Sequence, residues 1–509
     1  MPTSLVSTGV QFPDSTIQTT AASAGGTITA TASGSISAGA PVIMNSDGTV
    51  SAVTATGGGT FTLGTYSTKA TTTGGSVYNS TVSFDPVRNT AVLFYYDSAT
   101  TYIYAAPGVI SGTSITWGTP VLLLAQQSAP NYPQQRLTSV YAANVGIHAC
   151  FFISSGVNSL SMASVTVSST NTLTVLYVQG VSSLLGSYFY LPSVTYNAAT
   201  SRIVYIFTDP YGFGSVSGFC GYLSSSGVLT HSAFTVSTNS ITNTNCDTSV
   251  ATTSTGKVIF LWQDQPSGYP TAKIAQLPSS GNTLTNVSSD ITVNSAANNN
   301  YSLSVGIDSS TGNALFAYTD SSLSGVIKVA SISGYTLSFG SAAFAGFSSS
   351  VKYLEFFSTP GTNATVLIFD SNGSSPMYGV PITVSGLTFT AGSLATFSGG
   401  YFFNPAATTD SIGLQFIIAG GNGASYVGNT VTNVTTNLTS TNFLGLSSAS
   451  YTNGQTATIN IVSSTNSSQS GLTAGLKYYV LGGGTLNSAA TSNPYAGLAR
   501  SSTSILVKG

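Results

Sequence analysis

The chain has 509 residues, of which 11 are Lys or Arg and 13 are Asp or Glu, so 5% are charged where a typical soluble chain has about 25%. The chain has only one glutamate, Glu355, four arginines and two histidines. The side chains from which most active sites are built are therefore scarce, which argues against an ordinary metabolic enzyme. The net charge of −2 and the lack of a basic stretch argue against nucleic acid as a partner.

The distribution of apolar residues argues against insertion into a membrane. The longest apolar runs, such as residues 258–262, are short enough for a buried strand, whereas a spanning helix needs about 20 apolar residues. The first four residues have neither the basic nor the apolar region of a signal peptide. Cys150, Cys220 and Cys246 have no metal-ligand or disulfide-framework spacing, so we expect buried thiols, with one oxidised pair as the alternative.

The N-terminal part of the chain divides into two segments. Residues 1–23 do not fit the repeats described below and form a segment of their own. In residues 24–78, two β-rich runs flank the Asp47-Gly48 dipeptide, which is a hairpin signal. We therefore predict a β-rich N-terminal flank over residues 24–78.

A β-rich run that usually ends with an acidic turn residue recurs seven times. The copies are residues 91–97, 148–153, 202–209, 257–262, 313–318, 364–369 and 413–418. Each is preceded by another short strand and a polar turn, as in residues 84–89, which is typical of a hairpin. The run predicts the second strand of a repeated unit.

A second marker, Gly or Asn followed by a Thr-Leu-Thr-like sequence, alternates with the first. Its copies are residues 112–116, 171–174, 227–230, 282–285, 334–338, 386–390 and 437–439. A third strand, such as residues 326–331, lies between the two markers, so each unit has four short strands, as in a propeller blade. The sequence therefore predicts an all-β fold with a seven-bladed β-propeller over residues 79–440; a β-sandwich pair or a β-solenoid is the alternative.

Residues 441–509 form a second β-rich flank, with a hairpin signal at Asn453-Gly454. A closed propeller brings its first and last blades together, and its two flanks leave the ring side by side. We therefore expect the N- and C-terminal flanks to pair into one small discontinuous β domain.

Short motifs in the flanks resemble those of a known class of proteins. Residues 12–22, FPDSTIQTTAA, look like the FPD-x-T-x-QTTAA segment of tailed-phage virion proteins, especially fibre-like proteins of marine and cyanobacterial phages. Residues 39–50 resemble their G-x-PV-x-x-NSDGTV element, and residues 471–480 and 505–509 resemble their GLT-x-G-x-x-YYV and terminal VKG elements. Ser15 stands where the first motif usually has Gly, which puts the local turn in doubt.

The resemblance implies a virion structural protein, a fibre or appendage subunit that is assembled in the host cytoplasm and exposed on the particle. Its N-terminal segment would dock on other virion proteins through a set of residues in the first motif: Phe12, Pro13, Asp14, Gln18, Thr19 and Thr20. Fibre proteins of this kind are often trimers, so we expect a homo-oligomer, although no heptad or triple-stranded β segment supports a trimer independently.

Long loops with aromatic residues follow the second and fourth strands of the predicted blades, and these loops share one face. Their rings define a predicted receptor face for a host-surface glycan or protein: Tyr132, Tyr188, Phe189, Tyr190, Tyr211, Phe213, Tyr269 and Tyr301. Exposed Tyr beside Asn and Ser combines flat apolar contact with adaptable hydrogen bonds. The alternative is that these rings cover the ends of the propeller core.

The sequence predicts no catalytic residue, no metal site and no cofactor. Aspartates recur at one blade position and either cap local turns or form a rim able to hold calcium: Asp97, Asp209, Asp264, Asp320 and Asp370. The four arginines form no convergent cluster, and neither His148 nor His231 has a Cys or carboxylate at suitable spacing. The alternative functions are a non-viral extracellular lectin-like adhesin and a polysaccharide-degrading propeller enzyme.

Overall fold

The structure is a computed structural model of the chain, and the residues that it describes form strands, turns and bends. It describes residues 4–6, 9–11, 17–18, 26–56, 60–68, 77–85, 88–97, 99–111, 114–124, 137–154, 159–181, 190–209, 215–238, 248–264, 267–295, 302–308, 311–320, 322, 324–344, 351–359, 364–371, 377–397, 406–409, 415–419, 424–431, 435–439, 441–480, 484, 486–488 and 494–507. The chain divides into two compact units. The first comprises residues 1–56 and 434–509, and the second comprises residues 57–433. No helix within these ranges has the length and apolarity to cross a membrane.

The first unit contains all strands that precede the repeats except one. Its N-terminal strands are β1 (Ser4–Val6), β2 (Gly9–Gln11), β3 (Ile17–Gln18), β4 (Thr27–Thr31), β5 (Pro41–Met44), β6 (Val50–Ala52) and β7 (Ala55–Thr56). The next strand, β8 (Thr60–Thr68), belongs to the second unit.

The described residues of the second unit form seven sheets of four or five strands each, which we number as blades 1 to 7. Blade 1 has β9 (Val77–Asp85), β10 (Thr90–Asp97), β11 (Tyr102–Ser111), β12 (Ser114–Trp117) and β13 (Val121–Leu124). Blade 2 has β14 (Thr138–Ala142), β15 (Ile147–Ser154), β16 (Ser159–Val167) and β17 (Leu173–Gly180). Blade 3 has β18 (Tyr190–Asn197), β19 (Arg202–Asp209), β20 (Ser215–Leu223) and β21 (Leu229–Ser237).

The remaining blades follow the same antiparallel order. Blade 4 has β22 (Thr248–Thr252), β23 (Lys257–Gln263), β24 (Pro270–Gln276) and β25 (Ile291–Thr292). Blade 5 has β26 (Leu303–Ile307), β27 (Ala314–Thr319), β28 (Gly325–Ser333), β29 (Thr336–Phe339) and β30 (Ala343–Phe344). Blade 6 has β31 (Val351–Thr359), β32 (Ala364–Ser371), β33 (Met377–Ser385), β34 (Thr388–Ala391) and β35 (Ala395–Phe397). Blade 7 has β36 (Ala406–Thr409), β37 (Gln415–Ala419) and β38 (Ala424–Val431), and its fourth strand is β8.

The first strands of the blades form a closed ring. Each contacts the first strand of the next blade, in the order β9, β14, β18, β22, β26, β31 and β36, and β36 contacts β9. The second unit is therefore a β-propeller, as the two alternating sequence markers predicted. The first marker is confirmed as the second strand of every blade, and all eight residues of β10 are buried because neighbouring blades cover both of its faces.

In blades 2 and 3, the second marker attaches the outer hairpin to the preceding blade. Leu173 and Leu229 are buried in the cores that their blades share with blades 1 and 2, respectively, while Thr174 and Thr230 beside them are exposed. Gly227 in the same hairpin of blade 3 has a φ of 82°, and a Cβ at this position would lie 2.2 Å from Ser164 Oγ of blade 2. Only glycine combines this backbone conformation with so close an approach.

Serine hydroxyls connect the first strands around the ring. A first strand has a free backbone edge, and unpaired buried N–H groups are costly. Ser249 Oγ of blade 4 accepts from Val305 N of blade 5 at 2.9 Å, and Ser304 Oγ of blade 5 accepts from Phe356 N of blade 6 at 3.0 Å. Hydroxyl groups therefore satisfy buried backbone groups between blades without any charge.

The closure of the ring differs from the sequence-based boundaries. We expected the propeller over residues 79–440, with its seventh outer hairpin at residues 437–439. In the structure β8 pairs with β38 from Thr60 opposite Val431 to Thr68 opposite Ala424, and residues 437–439 belong to the first unit. A strand from the N-terminal side completes the last blade, which ties the two ends of the ring by backbone hydrogen bonds.

The two flanks form one β unit, as predicted. Its C-terminal strands are β39 (Thr435–Thr436), β40 (Phe443–Ser447), β41 (Thr456–Asn460), β42 (Thr465–Asn466), β43 (Lys477–Val480), β44 (Leu486–Asn487), β45 (Tyr495–Ala499) and β46 (Ile505–Val507). One five-stranded sheet has the order β4-β41-β40-β5-β6 and mixes both flanks, while a second has the order β42-β46-β45-β43-β44. Ile43 from the N-terminal flank lies in the same buried cluster as Leu446 and Val480 from the C-terminal flank.

Candidate ligand-binding face

Five of the seven blades, all except blades 2 and 7, have an acidic turn residue at or beside the end of the second strand, on the face formed by the loops that follow the second and fourth strands. Asp97 ends β10, Asp209 ends β19, and Asp264 and Asp320 directly follow β23 and β27. Asp370 lies one residue before the end of β32. The antiparallel strand order brings these positions to the same end of every blade.

The aspartates whose contacts are described hold their own turns. Asp97 Oδ1 accepts from Ala99 N at 2.9 Å, and Asp320 Oδ1 accepts from Ser322 N at 2.8 Å. This is the geometry of an Asx turn. Among the described residues, no group of three or more His, Cys, Asp and Glu could hold a metal ion. The contacts favour the turn-capping alternative over a rim of calcium ligands.

The loop between β23 and β24 is the most completely described part of this face. Asp264 Oδ2 accepts from Ser267 Oγ at 2.8 Å, and Asp264 N donates to Tyr269 O at 2.9 Å. Gly268 N donates to Asp264 O at 2.8 Å, and Gln263 Nε2 donates to Gly268 O at 3.2 Å. Tyr269 is half-buried. These hydrogen bonds fix the loop and therefore orient the Tyr269 backbone before any ligand binds.

An ion pair involves β24, the strand that follows this loop. Lys273 Nζ lies 2.9 Å from Asp290 Oδ1 and 5.7 Å from the ring centroid of the buried Trp262, and it donates to Val236 O of blade 3 at 2.5 Å. The lysine thus connects blades 3 and 4 while Asp290 balances its charge. The loop before β24 carries Asp264 and Tyr269, so this part of the face combines an aromatic ring with hydroxyl and amide groups.

Most of the predicted receptor face lies outside the described residues. This applies to Tyr132, Tyr188, Phe189, Tyr211, Phe213 and Tyr301. Tyr190 begins β18, but its side chain is also outside the description. Tyr269 is the predicted receptor-face residue whose burial and loop contacts are described, so the grouping of these rings on one face remains a prediction.

The predicted docking segment is likewise largely outside the described residues. Phe12, Pro13, Asp14, Thr19 and Thr20 are not described. Gln18 ends β3, the third strand of a small sheet with β1 and β2, and its side chain is not described. The docking role of these six residues therefore remains a prediction.

His148 lies in the dry interior between blades 1 and 2. It is completely buried, its Nδ1 lies 2.8 Å from Ser83 Oγ, and Nε2 has no partner among the described residues. Burial lowers the pKa of His148 to about 3. A neutral imidazole without solvent contact cannot exchange a proton with a substrate, so this Ser–His pair is structural.

The described arginines stabilise turns and hairpins. Arg88 Nη1 lies 2.7 Å from Asp85 Oδ2 at the turn between the first two strands of blade 1. Arg202 is buried, and its Nε donates to Gly281 O of blade 4 at 2.9 Å. Both lie at the turn between the first two strands of their blades, at the opposite end of the blade from loops such as that of Tyr269. Arg500 belongs to the flank unit, where Nη1 donates to Thr465 Oγ1 at 3.3 Å.

The structure also clarifies the cysteines. Cys150 and Cys220 are free and buried, and burial raises the pKa of each thiol, that of Cys220 to about 11. The expectation of buried thiols is therefore confirmed for these two, while Cys246 lies outside the described residues.

The hydrogen bonds that hold the Tyr269 loop were not among the sequence-based predictions. Ser267 follows Asp264 by three residues and Gly268 has a φ of 72°, so Asp-x-x-Ser-Gly was a readable turn signal. The ion pair of Lys273 with Asp290 had no such signal. Asp290 directly precedes β25, and it comes close to Lys273 only because β25 pairs with β24.

Known structures have only distant likenesses to this chain. No family model and no curated protein matches the chain. The chain is similar to Aleuria aurantia lectin, described as a six-bladed β-propeller with a novel fucose recognition mode, with 11% identity and a TM-score of 0.39 over 62% of this chain and 96% of that one. A protein from Lactobacillus plantarum has 9% identity and a TM-score of 0.42 over 63% of this chain and 85% of that one. A putative 6-phosphogluconolactonase from Bacteroides uniformis has 11% identity and a TM-score of 0.43 over 76% and 99%.

Proposed function

We propose that the protein is a carbohydrate-binding β-propeller that catalyses no reaction. Its ligand lies on the face formed by the loops after the second and fourth strands. The observation that carries the proposal is the loop of blade 4, in which Asp264, Ser267 and Gly268 hold the backbone that bears the half-buried Tyr269. A ring on a rigid loop binds a ligand with little loss of conformational entropy.

The chemistry of this face suits a neutral sugar. An aromatic ring packs against the apolar C–H face of a pyranose, while hydroxyl and amide groups exchange hydrogen bonds with its hydroxyls. The nearby Lys273 is paired with Asp290 and bonded to Val236 O, so no unpaired cation in this described part of the face favours a strongly anionic ligand. We therefore expect an uncharged glycan.

The carboxylates on this face support binding rather than hydrolysis. Glycosidases generally need two carboxyl groups that flank the scissile bond, one of them able to donate a proton. Asp97 and Asp320 accept hydrogen bonds from backbone N–H groups of their own turns, and Asp264 accepts one from Ser267. These three carboxylates are therefore engaged in holding their own turns.

Replacing the ring on the blade 4 loop should weaken glycan binding. We expect Tyr269→Ala to lower the affinity for the best oligosaccharide of a glycan array about tenfold or more, since the ring contact contributes on the order of 1.4 kcal/mol. Tyr222→Ala is the matched control, because Tyr222 is 36% exposed on β20, where it packs against Arg202. Isothermal titration calorimetry measures both variants, and equal losses in the two would refute the assignment of this face.

We further propose that the chain is a phage virion subunit on the exterior of the particle. The resemblance of residues 12–22 and 39–50 to tailed-phage motifs supports this, and so does the pairing of both flanks into one β unit. Its partners would be other virion proteins and a host-surface glycan or protein, in a homo-oligomer. A cell-surface adhesin would use the same glycan face but would have no need of the docking segment.

Deleting residues 1–23 should separate docking from ligand binding. We expect the truncated protein to keep its glycan affinity but to be absent from purified particles, because the docking motif lies within the deleted segment. Full-length Tyr269→Ala is the control and should still be incorporated. Incorporation of the truncated protein at the full-length level, measured by mass spectrometry of particles, would contradict the docking role.

A further inference from the structure

The outer edges of the described blades differ in length. Exposed strand edges can pair with other chains, and proteins commonly keep them short or place charges on them. The fourth strands β12, β29 and β34 have four residues each and β25 has two. By contrast, β17 of blade 2 has eight residues, and β21 of blade 3 and β8 of blade 7 have nine each.

The long edge of blade 2 is also apolar. Tyr177 is 45% exposed and Val178 is 37% exposed, and the register places them opposite Ser164 and Ala163 of β16. On β21 the exposed residues are small or hydroxylated, as at Thr230 and Ala233. No strand in the described part of the chain pairs with the outer side of β17.

A neighbouring strand extends this apolar edge. The short strand β13 of blade 1 contacts β17. Its Leu122 is 44% exposed, and Val109 on the adjoining β11 is 40% exposed. Four of the seven large exposed hydrophobic residues described in the propeller therefore lie in blades 1 and 2, whereas Tyr222, Val287 and Leu394 lie singly in blades 3, 4 and 6. The edge is therefore both a free row of backbone groups and an apolar surface.

Charges that would prevent pairing are absent. Residues 137–201, which include all of blade 2, contain no Asp, Glu, Lys or Arg. Lysine on an edge strand is the common means by which proteins avoid edge-to-edge association, because two such strands would bring like charges together. The whole chain has a net charge of only −2, so copies of it experience little long-range repulsion.

We propose that β17 is a docking edge for β17 of a second copy of this chain. The two strands pair antiparallel about a two-fold axis, so that the two four-stranded blades become one continuous sheet. The contact is self-complementary, since each copy contributes the same Tyr177, Val178 and backbone edge. Pairing removes Tyr177 and Val178 from water and satisfies the N–H and C=O groups on the outer side of β17.

The test is the oligomeric state of the full-length protein. Light scattering after size-exclusion chromatography, over about a hundredfold range of concentration, should give the mass of two chains for the wild type at the upper end. Val178→Lys should weaken the dimer about tenfold or more, because the two-fold axis brings the new cations together. Ala233→Lys on β21 is the matched control and should leave the dimer unchanged.

Amide hydrogen exchange locates the contact independently of any substitution. The outward amides of Leu173–Gly180 should become more protected as wild-type concentration rises, while those of β21 should not. A wild type that stays monomeric throughout the concentration range would overturn the proposal. So would a Val178→Lys dimer as tight as the wild type, or dissociation by Ala233→Lys alone.

Discussion

A full-length variant in which residues 60–68 are replaced by a Gly/Ser sequence of equal length should have a propeller that is less stable by about 5 kcal/mol or more. The reason is that β8 is the fourth strand of blade 7, paired with β38 through seven registered residue pairs from Thr60 to Thr68. Each lost backbone hydrogen bond contributes about 0.5–1.5 kcal/mol net. A loss of this size is a large fraction of the stability of an ordinary domain.

Intrinsic fluorescence can measure this effect in the propeller alone. The chain has two tryptophans, Trp117 in β12 and Trp262 in β23, and both belong to the propeller. Urea unfolding followed by their emission gives the stability of that unit. Replacement of residues 69–76 by Gly/Ser is the control, because the last registered pair of β8 is Thr68 opposite Ala424, and it should change the urea midpoint little. If the two replacements destabilise equally, β8 does not close the ring.

The stability of the propeller should fall on acidification because of one buried side chain. The pKa of His148 is about 3 in the folded protein, against an ordinary value of 6.5, because its imidazole is completely buried. Above pH 6.5 the ring is neutral in both the folded and the unfolded chain, so it causes no pH dependence. Between pH 6.5 and about 3 only the unfolded chain takes up the proton, which favours unfolding by about 1.4 kcal/mol per pH unit.

Comparing the pH dependence of stability in the wild type and in H148Q separates the contribution of His148 from that of the aspartates. At pH 4 the wild type should have lost about 3 kcal/mol through His148, a loss that H148Q lacks. The comparison is of the change from pH 7 to pH 4, so a uniform destabilisation by the substitution does not affect it. H231Q is the control, since partial burial lowers the pKa of His231 as well but its ring is only half-buried. An equal pH dependence in wild type and H148Q would show that His148 is protonated in the folded chain.

Much of each blade could be predicted from local sequence. Ala314, Phe316 and Tyr318 of β27 belong to a run whose six residues are all buried, and such a run is typical of a strand covered on both faces. Leu173, between two threonines, has the alternation of a strand with one buried face. These signals lie within a few residues of each other, so the sequence contains them without reference to distant parts of the chain.

The closure of the ring could not be predicted in the same way. In residues 60–68, larger apolar side chains alternate with Thr and Ser in part of the segment, which suits a strand in either unit. Nothing in this segment indicates pairing with residues 424–431. The second marker at residues 437–439 even suggested a fourth strand within the last repeat. The pairing is decided by the geometry of the closed ring, which leaves the edge of β38 available to the strand that precedes β9.

The candidate site was predictable in composition but not in geometry. The recurrence of Asp97, Asp264 and Asp320 at one blade position was evident from the spacing of the repeats. Their use as turn caps depended on contacts with Ala99, Ser267 and Ser322, which distinguish a capped turn from a calcium rim. The exposed edge of β17 had no counterpart in the sequence analysis.

The sequence alone determined that this chain is an all-β repeat protein with few charges, since alternating apolar runs and turn residues act over short distances. The tertiary structure decided which strand closes the ring, which hydroxyl groups connect the blades, and that the His148 side chain is buried away from water. It also decided which outer strand has a free apolar edge. These features depend on residues that are far apart in the chain and become adjacent only when the blades pack. No local sequence pattern records which of these residues will be buried or hydrogen-bonded together.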